Sequence, residues 1–238
     1  MLPLFFVDSL SGGNSQLLDK DEAHHAIKVL RVKIGEEIMI SDGSGNWASG
    51  PIEELGKKTL LIKVSNQGEK KMHKPELVIV QAITKSDRNK EMLELITVAG
   101  VDRIIPWQSD RSISKWQSDS ADKWELTIKE SCKQARRVVM PKLSKSVNSR
   151  QLGEELSSSP FSLIFHESAS TNFSDVKIPS DIQSIHLIIG PEGGITDEEL
   201  LMFKGVSSNI VRLGDPVLRS AHAGFAALAA VQTKLGRW

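Results

Sequence analysis

The chain has 238 residues, and its 30 Lys and Arg balance 30 Asp and Glu, so the formal charge is zero. That balance excludes a protein that coats nucleic acid or an anionic membrane by bulk charge, because sequence-independent phosphate binding needs a surplus of cations. With 39% hydrophobic and 25% charged residues the composition is ordinary for a globular chain, disordered and fibrous classes drop out, and the length suits one large domain or two modest ones.

The first residues, Met1 to Val7, are apolar yet carry no basic residue and run straight into Asp8, so they lack the charged region and length of a secretory signal. Leu4 to Val7 is a β-prone run. A helix follows, capped by Asp19 or Asp21, with Ala23, Ile27 and Leu30 recurring at helical spacing. Glu37 to Ser41 is a second strand, Asp42-Gly43-Ser44-Gly45-Asn46 a turn cluster before Trp47, and Thr59 to Val64 a third strand. Short strands around one helix predict a small β-barrel. The polar stretch from Ser65 to Lys71 reads as a linker, which divides the chain into residues 1–72 and 73–238.

Beyond that point strands alternate with helices. Leu77 to Ala82 is a continuous apolar strand, Arg88 to Ala99 a helix and Arg103 to Pro106 a strand again, a βαβ unit that predicts an α/β domain with a mostly parallel sheet. The next helix carries Trp124, Ile128, Cys132 and Ala135. Cys132 is the single cysteine, which excludes an internal disulfide and a multi-thiolate metal site, makes the cytoplasm the simplest compartment and reads as core. Strands at Ser162 to Phe165 and Ile185 to Ile189 follow, then a helix opened by Thr196, a strand at Asn209 to Leu213 and a last helix from Val217 to Leu235. No apolar run approaches the roughly 18 residues of a membrane span. None of the six histidines pairs at ligand spacing with another His or Cys, so no metal is expected.

Two turns carry the chemistry. Leu187-Ile188-Ile189 is a buried strand that breaks into Gly190-Pro191-Glu192-Gly193-Gly194 and then a helix whose Thr196 and Glu199 have capping-box spacing. Such a turn lets a ligand approach the backbone, and equally serves as a plain strand-to-helix junction; it has neither the Gly-Lys-Ser/Thr of a phosphate loop nor the glycine spacing of a dinucleotide site. The second, Leu213-Gly214-Asp215-Pro216-Val217-Leu218-Arg219-Ser220, again runs from a strand to a helix, and the two strand ends, taken as neighbours, would form two walls of one pocket. Arg219, in the first helical turn, sits where the macrodipole disfavours a cation, so an anionic partner is expected there.

In this order and at this distance, the two turns resemble the signature of the RsmE-type 16S ribosomal RNA uridine-N3 methyltransferases, of the SPOUT superfamily. His24-His25 with Val29-Leu30-Arg31 and Gly35 is similar to the motif of that family's amino-terminal barrel, and Lys85 with Arg88, Gly100-Val101, Arg111-Ser112, and Glu130 with Gln134 and Arg137 match further positions. The resemblance implies a PUA-like RNA-binding barrel over residues 1–72. It implies a SPOUT methyltransferase domain over residues 73–238, with a trefoil knot and a homodimer. It implies S-adenosylmethionine as cofactor, held by Phe165, His166, Gly190, Pro191, Glu192, Gly193, Gly194, Leu213, Gly214 and Leu218. The target would be N3 of one uridine in 16S rRNA, met on the assembled small ribosomal subunit in the cytoplasm, with no membrane and no metal.

Arg219, Ser220 and His222 are the implied catalytic residues: Arg219 to stabilise the developing anion, Ser220 or His222 to orient the base or relay its proton. Where the family commonly has Thr-Glu-Thr, this chain has Ser220-Ala221-His222, so the carboxylate of that position is missing. RNA contacts fall on His25, Arg31, Lys85, Arg88, Arg111, Gln134, Arg136 and Arg137. Residues 129–150 hold seven basic side chains against Glu130 alone, a local surplus beneath the overall neutrality, readable as a solvated face or as an RNA patch. The competing readings are a SPOUT enzyme acting on another RNA and a non-catalytic RNA-binding protein that keeps the pocket.

Overall fold

The structure, a computed structural model, describes residues 2–159, 161–206 and 208–238, with the main chain alone at 86, 87 and 208. Met1, counted with the apolar opening segment above, lies outside the described residues. The chain parts into two compact units, residues 1–72 with 129–140, and residues 73–128 with 141–238.

The first unit contains β1 (Leu4–Phe6), β2 (Ser15–Asp19), α1 (Lys20–His24), β3 (Glu37–Ser41), β4 (Asn46–Leu55), β5 (Thr59–Lys63) and β6 (Asn66–Glu69). Its strands run in the order β1-β3-β4-β5-β2, with β6 added to β4; β1 is parallel to β3 and every other pair is antiparallel. Alternate residues turn inward, as in β2, where Gln16 and Leu18 are buried between exposed neighbours. Phe5, Leu18, Ile38, Ile40, Ile52, Leu60 and Ile62 form the core with Ala23 and Ala26.

Two expectations fail here. The supposed linker holds β6, an edge strand exposed at all four residues, which has no apolar period to betray it because neither face is covered. The helical face of Ala23, Ile27 and Leu30 is also broken. α1 runs into a π-helical turn, His25–Leu30, whose wider i to i+5 bonding, with the Arg31 N–H reaching the Ala26 carbonyl, turns Ala26 inward and leaves Leu30 48% exposed.

Residues 129–140 complete this unit. The Ser41 hydroxyl donates to the Val138 carbonyl (2.8 Å) and the Met140 N–H to the Gly43 carbonyl (2.8 Å). Lys129 pairs with the nearly buried Glu22 at 2.7 Å, and Lys133 lies 3.4 Å from its other oxygen.

The second unit is built on β7 (Glu76–Ala82), α2 (Ser86–Val98), β8 (Arg103–Gln108), β9 (Lys142–Leu143), β10 (Val147–Asn148), α4 (Ser149–Ser157), β11 (Ser162–Phe165), β12 (Ser184–Ile189), α5 (Asp197–Lys204), β13 (Ser208–Val211) and α6 (Ser220–Lys234); α3 (Ser120–Ala135) leaves it at Ile128. Every strand pairing is parallel, in the order β10-β8-β7-β12-β11-β13, with β9 on β8. Both faces are covered, which is why β7 and β12 read as continuous apolar runs. Val78, Val80, Ala82, Ile105, Ile164 and Ile188 pack with Leu152 and Leu156 of α4 and Phe203 of α5, while α2 and α6 pack together on the opposite face. Helix α4 goes unread in the sequence although Asn148 and Gln151 form a capping box. Among the described residues no helix is long and apolar enough to cross a membrane.

Candidate functional site

Strands β12, β11 and β13 lie side by side and parallel, so their carboxyl ends at Ile189, Phe165 and Val211 open on one edge of the sheet, where α/β folds place ligands. The strands before the two glycine turns are therefore not neighbours, as the sequence suggested, because β11 runs between them.

An open cleft lies at this edge, lined by Phe165, His166 and Glu167, the loop from Arg212 to Leu218, and Ala223. Of the expected cofactor residues, Phe165, His166, Leu213, Gly214 and Leu218 line it. Gly190, Pro191, Glu192, Gly193 and Gly194 do not. The loop starts from a fixed base, since the Arg212 N–H donates to the Thr171 carbonyl (3.0 Å), its Nε to Asn172 Oδ1 (2.8 Å), and the Phe173 N–H to the Arg212 carbonyl (2.8 Å). Beyond that base it is open, and it holds apolar side chains toward solvent: Val217 is 71% exposed and Leu218 42%.

The glycine turn is shaped by the protein's own side chains. A Cβ on Gly190 would lie 2.7 Å from Ile195 Cγ1, and one on Gly193 3.2 Å from Arg111 Cβ. Arg111 Nη1 also donates to the Gly193 carbonyl (3.1 Å), so this arginine, expected at RNA, braces the turn. Its loop is held from behind by the buried carboxylate of Glu199. One oxygen of Glu199 accepts from the Asp110 N–H (3.0 Å) and the Ser149 hydroxyl (2.6 Å), and the other accepts from the Thr196 N–H (2.9 Å) to close the capping box of α5.

Ser220 couples the turn to α6. Its buried hydroxyl donates to the Gly190 carbonyl (2.6 Å) and accepts from Gln81 Nε2 (3.1 Å), which commits its proton to the turn. Gln81 escaped the sequence reading, although an amide inside the apolar run from Leu77 to Ala82 was a visible signal. Arg219 is the exposed N-cap of α6, with φ −63° and ψ 144°, and not a member of its first turn as expected. Its carbonyl accepts from the His222 N–H (2.8 Å) and the Ala223 N–H (2.9 Å). His222 Nε2 lies 3.1 Å from Glu91 Oε1 of α2.

The residues expected at RNA fall in both units. In the second, Lys85 is the exposed N-cap of α2 and Arg88 is half-buried one turn on. In the first, the His25 ring meets Phe5 edge-on at 6.4 Å, Gln134 is exposed and Arg137 is half-buried. Arg31 and Arg136 adopt left-handed backbone with φ of 54° and 53°. That conformation costs a non-glycine residue about 1–2 kcal/mol, so the arginine side chain is kept where glycine would be the easier choice. Lys129 and Lys133 of the basic run are turned onto Glu22, which removes part of the surplus counted from the sequence. Cys132 is fully buried, and burial pushes its thiol up to about 11, so it is inert core. Among the described residues no three His, Cys, Asp or Glu side chains gather as a metal site.

Residues 71–232 match the family model of the RNA methyltransferase domain and residues 18–65 that of the RNA methyltransferase PUA domain. An α/β methyltransferase unit joined to a PUA unit is thereby the class of protein. The ribosomal RNA small subunit methyltransferase E of Mycobacterium bovis is 33% identical over 99% of this chain and 93% of its own length, and that of Bacillus subtilis is 26% identical over 91% and 90%. The crystal structure of the ribosomal RNA small subunit methyltransferase E from Neisseria gonorrhoeae bound to S-adenosyl methionine matches with a TM-score of 0.87 at 26% identity, covering 98% of both chains. A Legionella pneumophila methyltransferase in complex with the cofactor SAM matches at 0.86 and 27%, again over 98% of both. The chain belongs to the ribosomal RNA small subunit methyltransferase E family.

Proposed function

We propose that the protein transfers a methyl group from S-adenosylmethionine to N3 of one uridine in 16S rRNA, that it does so on the assembled small subunit, and that it works as a cytoplasmic homodimer with a knotted carboxyl-terminal domain. The observation that carries this reading is the cleft at the ends of β11 and β13, in a chain that matches an S-adenosylmethionine-bound relative over nearly its whole length. The cleft's chemistry fits that cofactor. Leu213, Val217, Leu218 and Ala223 offer an apolar wall to an adenine ring, and Glu167 and Asp215 offer carboxylates to a cationic, hydroxyl-bearing ligand.

The cofactor supplies an electrophilic methyl group on a cationic sulfur. What the chain must add is alignment of the uridine in line with that methyl and help in removing the N3 proton. Arg219 stands beside Leu218 of the cleft with its side chain exposed, and is the cation suited to stabilise the anion that develops on the uracil ring. Ser220 holds α6 against the glycine turn so that Arg219 keeps its place. In this reading residues 1–72 form the RNA-binding barrel, with His25 and Arg31 as its contacts and Gln134, Arg136 and Arg137 added by the segment 129–140 that packs with it, and the rest of residues 73–238 form the methyltransferase domain, where Lys85, Arg88 and Arg111 add theirs.

Incubation with methyl-labelled S-adenosylmethionine and small subunits from a strain lacking the modification, beside the same 16S rRNA stripped of protein, tests the reading through nucleoside mass spectrometry. Labelled 3-methyluridine at a single site, favoured on the assembled particle, is expected. A different labelled nucleoside, label confined to another RNA, or no transfer overturns it.

A further inference from the structure

Methylating N3 of a uridine requires that its proton leave, and the first turn of α6, Ser220-Ala221-His222, holds no carboxylate of its own. A carboxylate does reach that turn from another element. Glu91 on α2 places Oε1 3.1 Å from His222 Nε2, and both side chains are about half exposed, 55% and 47%. A carboxylate oxygen is an acceptor only, so the contact fixes the proton of the neutral ring on Nε2 and leaves the lone pair on Nδ1. His222 sits two residues after Ser220, which is tied to Gly190, and one before Ala223, which lines the cleft.

We propose that Glu91 and His222 form a carboxylate–imidazole pair in which His222 Nδ1 is the general base for uridine N3. The proposal rests on the reading that the protein methylates uridine N3. As the N3–CH₃ bond forms, the S–CH₃ bond breaks and its electron pair returns to sulfur, giving a neutral thioether. The N3 proton passes to Nδ1, the resulting imidazolium is stabilised by the Glu91 carboxylate, and the proton then leaves to water. Glu91 does not touch substrate; it is a positioning residue that acts through His222. Among the described residues, the charged groups next to the pair along its two helices are Arg219 on α6 and, one turn either side of Glu91 on α2, Arg88 and Glu94; the strand side chains nearest Gly224 of α6, Gln81 and Ile189, are uncharged.

Single-turnover methylation by the full-length protein, with S-adenosylmethionine affinity measured alongside by calorimetry, separates this role from a structural one. His222→Gln is expected to lower the rate about 10²–10³-fold near neutral pH with the affinity unchanged, the range of lost general-base catalysis. Its deficit shrinks as pH rises, because N3 then ionises without help. Glu91→Ala is expected to cost roughly tenfold, Glu91→Gln less because its amide oxygen still accepts from Nε2, and Glu91→Ala adds nothing in the His222→Gln background, the mark of residues acting as one unit. A His222→Gln deficit that is constant with pH, or additive losses in the double variant, overturns the pair while leaving the methyltransferase reading intact. If the unaltered protein makes no 3-methyluridine, both fall together.

Discussion

His186 shows how a single buried ring ties stability to pH. It sits in β12, where Arg103 Nη2 approaches its Nε2 at 3.2 Å and its Nδ1 lies 2.7 Å from the Ser159 hydroxyl, while Arg103 is itself held by Glu155 at 3.0 Å and Glu76 at 3.7 Å. A guanidinium is a donor only, so Nε2 accepts and the Nδ1–H donates to Ser159. Burial, and then the Arg103 charge, push the imidazole down to about 4 from its ordinary 6.5. As pH falls below 6.5 the unfolded chain takes up a proton that the folded ring refuses, so stability present at neutral pH is lost toward pH 4, by up to roughly 3 kcal/mol. Urea midpoints measured at about pH 7.5 and about pH 4.5 check this: the unaltered protein loses stability at the acid end, and His186→Gln loses distinctly less.

At the scale of elements, the glycine turn depends on how helices α4 and α5 and the Arg111 loop are locked to one another. Glu199 does most of it, with its four hydrogen bonds to Thr196 (N–H and hydroxyl), Asp110 and Ser149. Glu199→Ala leaves those donors facing a buried gap, and an expected loss on the order of 3 kcal/mol follows from several orphaned polar groups. Thermal unfolding of the variant beside the unaltered protein reads that loss. The capping box from Thr196 to Glu199 was legible in the sequence, since both partners lie within one turn of helix. The second oxygen of Glu199 was not, because Asp110 and Ser149 are far away in the chain. The same division holds elsewhere. Buried parallel strands such as Leu77 to Ala82 declare themselves by continuous apolar residues, whereas β6 has no buried face and the π-turn at His25–Leu30 breaks the very period by which a helix is read. Of the two turns read from the sequence, the one from Leu213 to Leu218 lines the cleft and the glycine turn does not, and the insertion of β11 between their strands is a fact of sheet order that no local pattern carries.

For the whole molecule, the zero net charge conceals both a cationic stretch and a detour of the chain. Residues 129–140 pack with residues 1–72 although 56 residues of the other unit, 73–128, intervene. They bring Val138 and Met140 to the turn at Ser41 and Gly43, and Lys129 to Glu22, which is only 8% exposed. A fragment ending at residue 72 would therefore keep its core but leave a buried carboxylate without its cation, a defect worth about 3–5 kcal/mol when one partner of a buried pair is removed. That is a large part of what a domain of this size has to spare. Residues 1–72 expressed alone are expected to unfold without a sharp transition and to exchange amide hydrogens quickly at β3 and β4. Joining residues 129–140 to the same fragment through a flexible linker should restore a cooperative transition. A fragment 1–72 that already melts sharply would show that the strands carry the unit unaided, and that the cationic segment is displayed by this unit rather than required by it.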